Sequence, residues 1–197
     1  MEAVDILRPN VSLKEAKALL STDGFRGWFR HLRLGHLRWV AQVYVPFDVF
    51  TLEIFRNGMV ESGAIALDAV NGTLDPYSFE HPPTETDCIT VETRNVLPHL
   101  MLAQASQKNA EQHVRRLLYQ RGFFRISNLE IKATRMPLGI YVPYWVGFYG
   151  RDAQVRLEVV DAVRRRLEGA KVRTLMQQWL TGEFSRPQQP RPMVAAS

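Results

Sequence analysis

Val43-Tyr44-Val45-Pro46-Phe47 returns ninety-seven positions later as Ile140-Tyr141-Val142-Pro143-Tyr144, a β-branched residue followed by Tyr-Val-Pro and an aromatic. Internal repeats come before any other reading, because a copied unit fixes the architecture. Two further landmarks recur in the same order. Leu67-Asp68-Ala69-Val70 returns as Val160-Asp161-Ala162-Val163, offset by 93. Leu19-Leu20 with Gly24-Phe25 returns as Leu117-Leu118 with Gly122-Phe123, offset by 98. Three ordered landmarks with so little drift read as a tandem duplication.

Working outward from the repeated string, each copy reads as one helix followed by three strands. Ser12-Leu13-Lys14-Glu15 is a capping box, and Leu13, Ala16, Leu19 and Leu20 form one apolar face up to Gly24. Residues 39–54 are β-prone, and Arg56-Asn57-Gly58-Met59 suits a tight hairpin. The return strand ends at Asp68-Ala69-Val70. In the second copy the spacing predicts a helix over 99–121, a strand from Phe124 to Thr134, another over 139–149, and a return past Gly150-Arg151-Asp152. From Pro to Asp the first hairpin spans 22 positions and the second 18, a difference that a turn absorbs and a strand does not. A short strand is expected at Ile89-Thr90-Val91, and a helix between Gly169 and Gly182. Residues 185–197 hold three prolines and four hydrophobic residues, which reads as a disordered tail. The expected fold class is α+β. Two repeated helix–three-stranded antiparallel sheet modules stand in pseudo-twofold arrangement, with a C-terminal helix and a disordered tail. The boundaries are 1–83 for the first module, 84–98 for a connector, 99–184 for the second module with its helix, and 185–197 for the tail.

A helix and a three-stranded meander ending in Asp68-Ala69-Val70-Asn71-Gly72-Thr73-Leu74 resembles the PepSY domain, whose last strand closes with an Asp-Ala-x-x-Gly-x-Val type of signature. Asp161-Ala162-Val163-Arg164-Arg165-Arg166-Leu167 follows the pattern with Arg165 in place of the turn glycine. The resemblance covers about 60 residues of each half. It implies an αβββ module of a family that is mostly extracytoplasmic, with some members linked to peptidase inhibition or to membrane proteins.

Composition sets other bounds. The chain has 197 residues, 46% hydrophobic and 23% charged, which suits one or two globular domains. With Cys88 as the one cysteine, neither an intrachain disulfide nor a cysteine metal cage is available. The opening Met1-Glu2-Ala3-Val4-Asp5 does not read as a secretory signal, and no apolar run suits a membrane span, so a cytoplasmic location is expected. Residues 1–110 carry 10 Lys/Arg against 13 Asp/Glu, whereas residues 111–197 carry 15 against 7. A basic half can bind nucleic acid or an acidic partner, or it can be a solvated surface, which is the favoured reading.

The candidate site residues follow from the repeat. Asp68 and Asp161 can form a shared carboxylate site between modules; the favoured reading is that each accepts backbone N–H groups in its own turn. Tyr44, Phe47, Tyr141, Tyr144 and Trp145 can stack a ligand, although core packing is favoured. Arg164, Arg165 and Arg166 can meet phosphates, and a solvated turn is favoured. Pro46 and Pro143 cannot donate to a ladder and are expected on an edge strand or at a bulge. Histidine spacing suggests no metal site, and no catalytic or cofactor motif is present. The expectation is a non-catalytic binding or scaffold protein with no cofactor. Its partner would be another protein or a second copy. A nucleic-acid-associated protein, or an enzyme with its site between the modules, is the alternative.

Overall fold

The computed structural model describes residues 1–21, 34–56, 58–120, 130–150 and 155–185. In chain order the elements are β1 (Glu2–Leu7), α1 (Leu13–Leu20), β2 (Leu37–Arg56), β3 (Met59–Asp68), β4 (Tyr77–Phe79), β5 (Cys88–Thr93), α2 (Ala103–Gln120), β6 (Glu130–Tyr149), β7 (Arg156–Asp161), β8 (Arg166–Leu167) and α3 (Ala170–Leu180). Among the described residues this is a mixed α+β fold with three α-helices and one eight-stranded mixed sheet. The strand order is β4-β3-β2-β6-β1-β5, and β7 also pairs with β6 and carries β8.

The sheet is built on β2 and β6, which run antiparallel to each other almost end to end. Their centre is the repeated string paired with itself: Val45 stands opposite Val142, Tyr44 opposite Pro143 and Pro46 opposite Tyr141. Val43, Tyr44, Val45, Phe47, Ile140, Val142 and Tyr144 are all buried. A strand covered on both faces needs a continuous apolar run rather than alternation, and each such side chain contributes about 1.5–3 kcal/mol on burial. One face packs under α3 through Val172, Leu175 and Met176. The other is covered by α1, with Leu20 near Tyr149 and Val160, and by α2, with Ala110, Val114 and Leu118 over Phe50, Leu52 and Ile65.

The halves interleave. α1, from the first half, lies against β6 and β7 of the second, while α2 lies against β2 and β3 as well as β6. Ile6 pairs in parallel with Tyr141, and Val96 in parallel with Tyr44. Residues 2–7, which sequence patterning leaves without an element, thus form β1, paired with β5 over six residues. The short alternation of Val4 and Ile6 was its one local signal.

Three expectations need correction. The two strands read on either side of residues 135–138 are one strand from Glu130 to Tyr149; residues 124–129 lie outside the described residues. Asp48 pairs with Gly139 and Phe50 with Arg135, so Met136-Pro137-Leu138 bulge opposite the single residue Val49. A bulge accommodates Pro137 because its residues owe the ladder no N–H. Pro46 and Pro143, in turn, lie on no edge but in the two central strands. They are tolerated because each faces outward just past the end of a ladder. The β2–β3 ladder ends at Phe47 opposite Asp68, and the β6–β7 ladder at Tyr144 opposite Asp161. The Pro46 carbonyl accepts from Ala69 N–H at 2.8 Å and the Pro143 carbonyl from Ala162 N–H at 3.1 Å. Since a strand residue's N and C=O point to the same side, the missing donors fall where the partner strand has already turned away. Third, α1 ends at Leu20 with Ser21 extended. Gly24, Asn57, Gly122, the turn at Arg151-Asp152 and the tail from Arg186 lie outside the described residues.

The turns after Asp68 and Asp161 share a backbone. Gly72 has φ of 70°, and Arg165, at the matching position, has φ of 55°. The left-handed region suits glycine and strains a side chain. A Cβ on Gly72 would also stand 2.7 Å from Asn109 Nδ2. Gly72→Ala is therefore expected to lower stability by about 1–2 kcal/mol, whereas Arg165→Gly stays within about 1 kcal/mol of the parent, because relieved strain offsets lost rigidity of the unfolded chain. Urea denaturation compares them; equal losses would show that the two turns do not share this requirement.

Candidate functional site

The paired aspartates form no shared site. Asp68 and Asp161 are both fully buried, on strands flanking opposite sides of the central pair. Asp68 Oδ1 accepts from the N–H groups of Val70, Asn71 and Gly72 at 2.9–3.1 Å, and Oδ2 from Leu74 N–H at 2.8 Å. Asp161 Oδ1 accepts from Val163 and Arg164 N–H at 2.9 and 2.8 Å. Each carboxylate organises the turn that follows it, as aspartate does locally.

Asp161 differs in its second oxygen, which accepts from the Tyr77 hydroxyl. Tyr77 sits on β4, in the first half of the chain, with its ring edge-on to Phe47 at 5.4 Å. The Arg164 guanidinium lies 3.7 Å from the Tyr77 ring centroid and donates to the Pro76 carbonyl. Burial, Tyr144 and Asp161 all push the Tyr77 hydroxyl well above its ordinary value, so it stays protonated and donates. Burial and Asp161 do the same to Tyr144. This cluster fastens β4 to the far side of the sheet, and nothing local in the sequence around Tyr77 announces it.

A third buried aspartate escaped the sequence reading. Asp48 is 1% exposed, at the bulge where β6 detours around Val49. Its Oδ1 meets Arg135 Nη2 at 2.6 Å and His99 Nε2 at 3.0 Å, and its Oδ2 accepts from Ser106 Oγ at 2.7 Å. Burial pushes the Asp48 carboxyl up, but the bonds from Arg135, His99 and Ser106 outweigh it and hold the group below its ordinary value of 3.8. The set contains Ser, His and Asp without forming a nucleophilic triad. Ser106 donates to the aspartate rather than to the imidazole, so no base activates its hydroxyl.

The cluster borders a groove. His99 lines a cavity of about 480 Å³ together with Tyr141, Trp179, Phe184, Leu97 and Glu2. His99 is exposed, Tyr141, Trp179 and Phe184 are half-buried, and Arg135 stands 3.5 Å from the His99 ring nitrogen. A larger groove of about 830 Å³ lies between the end of β1 and residues 79–87. There Arg8 donates to the Thr86 carbonyl and Asp87 caps Thr84.

The other sequence candidates fall into place around these clusters. Tyr44, Phe47 and Tyr144 are core residues. Trp145 is half-buried and donates to the Val11 carbonyl at 2.9 Å. Of the five aromatics, Tyr141 lines the groove beside His99. Arg164 is stacked on Tyr77, Arg165 pairs with Glu15 at 2.9 Å, and Arg166 pairs with Glu168 at 2.9 Å and Asp75 at 3.3 Å. A run whose members already have acidic or aromatic partners is a poor phosphate clamp. Cys88 is half-buried, and burial, Asp5 and Asp87 raise its thiol, which disfavours the reactive thiolate. Among the described residues no three His, Cys, Asp or Glu side chains gather as a metal site, and no helix is long and apolar enough to cross a membrane. No protein-family model matches this chain, and searches of curated proteins and of solved structures find no match.

Two stability experiments follow. Tyr77→Phe leaves Asp161 Oδ2 without its donor in a buried site, an expected loss of about 1–3 kcal/mol by urea denaturation. Asp48, depressed in the folded state, contributes stability that is complete above its unfolded value and lost as pH falls through the folded one. The urea midpoint of the parent should therefore drop between pH 5 and 2. Asp48→Asn should be less stable at pH 7 and show a smaller drop over that window, and an identical pH profile would refute the assignment.

Proposed function

We propose that this chain is a non-catalytic binding or scaffold protein whose partner is another protein adding an extended segment to β5. The observation that carries the reading is the outer edge of that strand. β5 ends the strand order, with β1 as its pairing neighbour among the described residues. Arg8 N–H donates to the Asp87 carbonyl at 2.9 Å, which fixes the alternation: residues 89, 91 and 93 direct their backbone groups to β1, and Thr90 and Glu92 direct theirs outward, while the Cys88 N–H is taken by the Glu85 carbonyl. An unpaired row of N–H and C=O groups is a template for strand addition. The state of the buried aspartates supports a binding role: Asp48, Asp68 and Asp161 are each engaged by several donors.

The duplication belongs to the same proposal. Supporting it are the self-pairing of the two Tyr-Val-Pro strings, the matching Ala69–Pro46 and Ala162–Pro143 bonds, and the two aspartate turns. A PepSY-like ancestry rests on Asp68 to Leu74 and on the turn that Asp68 holds.

Replacing Glu92 by proline removes an outward donor and leaves the β1 ladder its bonds. Affinity capture with the parent is expected to retain a partner that Glu92→Pro loses, with both proteins unfolding at similar urea concentrations. Equal capture by both would remove the β5 edge as the interface.

A further inference from the structure

We propose that the groove beside His99 is a ligand site for a small monocarboxylate with an apolar or aromatic body, its anion bound by Arg135 and His99. Asp48 is the reason. A carboxylate this buried holds the guanidinium and the imidazole in fixed positions, 3.5 Å apart, from beneath. Ser106 takes its other oxygen, which leaves Asp48 no freedom to swing out and compete for either cation. Arg135 has five N–H donors and spends only those on Nη2 here. Among the described residues its other N–H groups meet no acceptor, and the same holds for Nδ1 of His99. Side-chain exposures of 36% and 39% leave both groups open to solvent while anchored from below. Preorganised, charge-assisted donors of this kind suit a planar carboxylate.

The rest of the groove supplies the body's environment. Tyr141, Trp179 and Phe184 offer half-buried rings beside the apolar Leu97, and about 480 Å³ is a small-ligand volume. Charge sets the class. With Asp48 offsetting Arg135, the cluster gains one net positive charge when the imidazole is protonated, which matches one carboxylate. Glu2 also lines the groove. It disfavours a second negative charge on the ligand and leaves the apolar rings to choose the body. The charged groups around His99 are thus Asp48 on β2, Arg135 on β6 and Glu2 on β1.

The probes are 3-phenylpropionate, its neutral counterpart 3-phenylpropanol, and inorganic phosphate, titrated calorimetrically into the full chain. The acid is expected to bind saturably and at least about tenfold more tightly than the alcohol. Arg135→Gln and Trp179→Ala, each checked for parent-like circular dichroism, should each weaken the acid at least about tenfold. His99→Gln should weaken the acid and keep the fold. No saturable binding of the acid to the intact chain would overturn the proposal. So would equal affinity for acid and alcohol, undiminished binding by Arg135→Gln, or phosphate binding as tight as the acid. The site does not depend on the β5 edge, so Glu92→Pro should bind the acid as the parent does, and the two proposals can fail separately.

Discussion

The antiparallel register that places Val45 opposite Val142 is the constraint on which the rest of the molecule depends. β2 and β6 are twenty residues long, well beyond ordinary strand length, and both faces of their middle are covered. A one-residue slip would turn Val43, Val45 and Phe47 away from α3 and bring Tyr44 and Asp48 into their place. Asp48 would then lose His99, Ser106 and Arg135 together, leaving a charge buried without partners. Apolar packing and one ion cluster therefore specify the same register.

Backbone accounting explains why two prolines lie at the middle of that pair. Each carbonyl next to a missing donor is used, by Ala69 or Ala162, and each missing N–H points past the end of a ladder. Asp68 and Asp161 then gather the N–H groups of the turns that carry the chain away. Proline, alanine and aspartate thus form one device in each half: a strand stops, its neighbour continues, and few polar groups are stranded. The second half takes Arg165 where the first has glycine, and that arginine's pairing with Glu15 of α1 is one return on the strained backbone.

The two polar clusters have different consequences. Tyr77, Asp161 and Tyr144 are buried and Arg164 is half-buried over the Tyr77 ring, and their chemistry is spent joining β4 to the opposite flank of the sheet. Asp48 is equally buried, but its partners Arg135 and His99 reach solvent, and His99 lines a groove. Burial of the acceptor with exposure of the donors separates a cluster that only holds the fold from one that can also hold a ligand.

Local chemistry determined a good deal on its own: the capping box at Ser12 and Glu15, the β-rich run of residues 39–54, the hairpin before Met59, the helix closed near Gly182, and the turn role of both aspartates were legible because each depends on neighbours within a few positions. Composition and repeat placed the chain in the α+β class. What only the tertiary structure decided involves partners far apart in sequence. Asp48 meets residues 51, 58 and 87 positions away, and Tyr77 meets one 84 positions away. Residues 135–138 read as a gap between two strands because a bulge is visible only against the partner strand, and Pro46 and Pro143 read as edge or bulge residues because ladder ends belong to the pairing. β1 went unread because its order comes from β5 and Tyr141. Sequence patterns report the bonds a residue makes nearby; register and the closing of the sheet depend on which distant donors and acceptors meet.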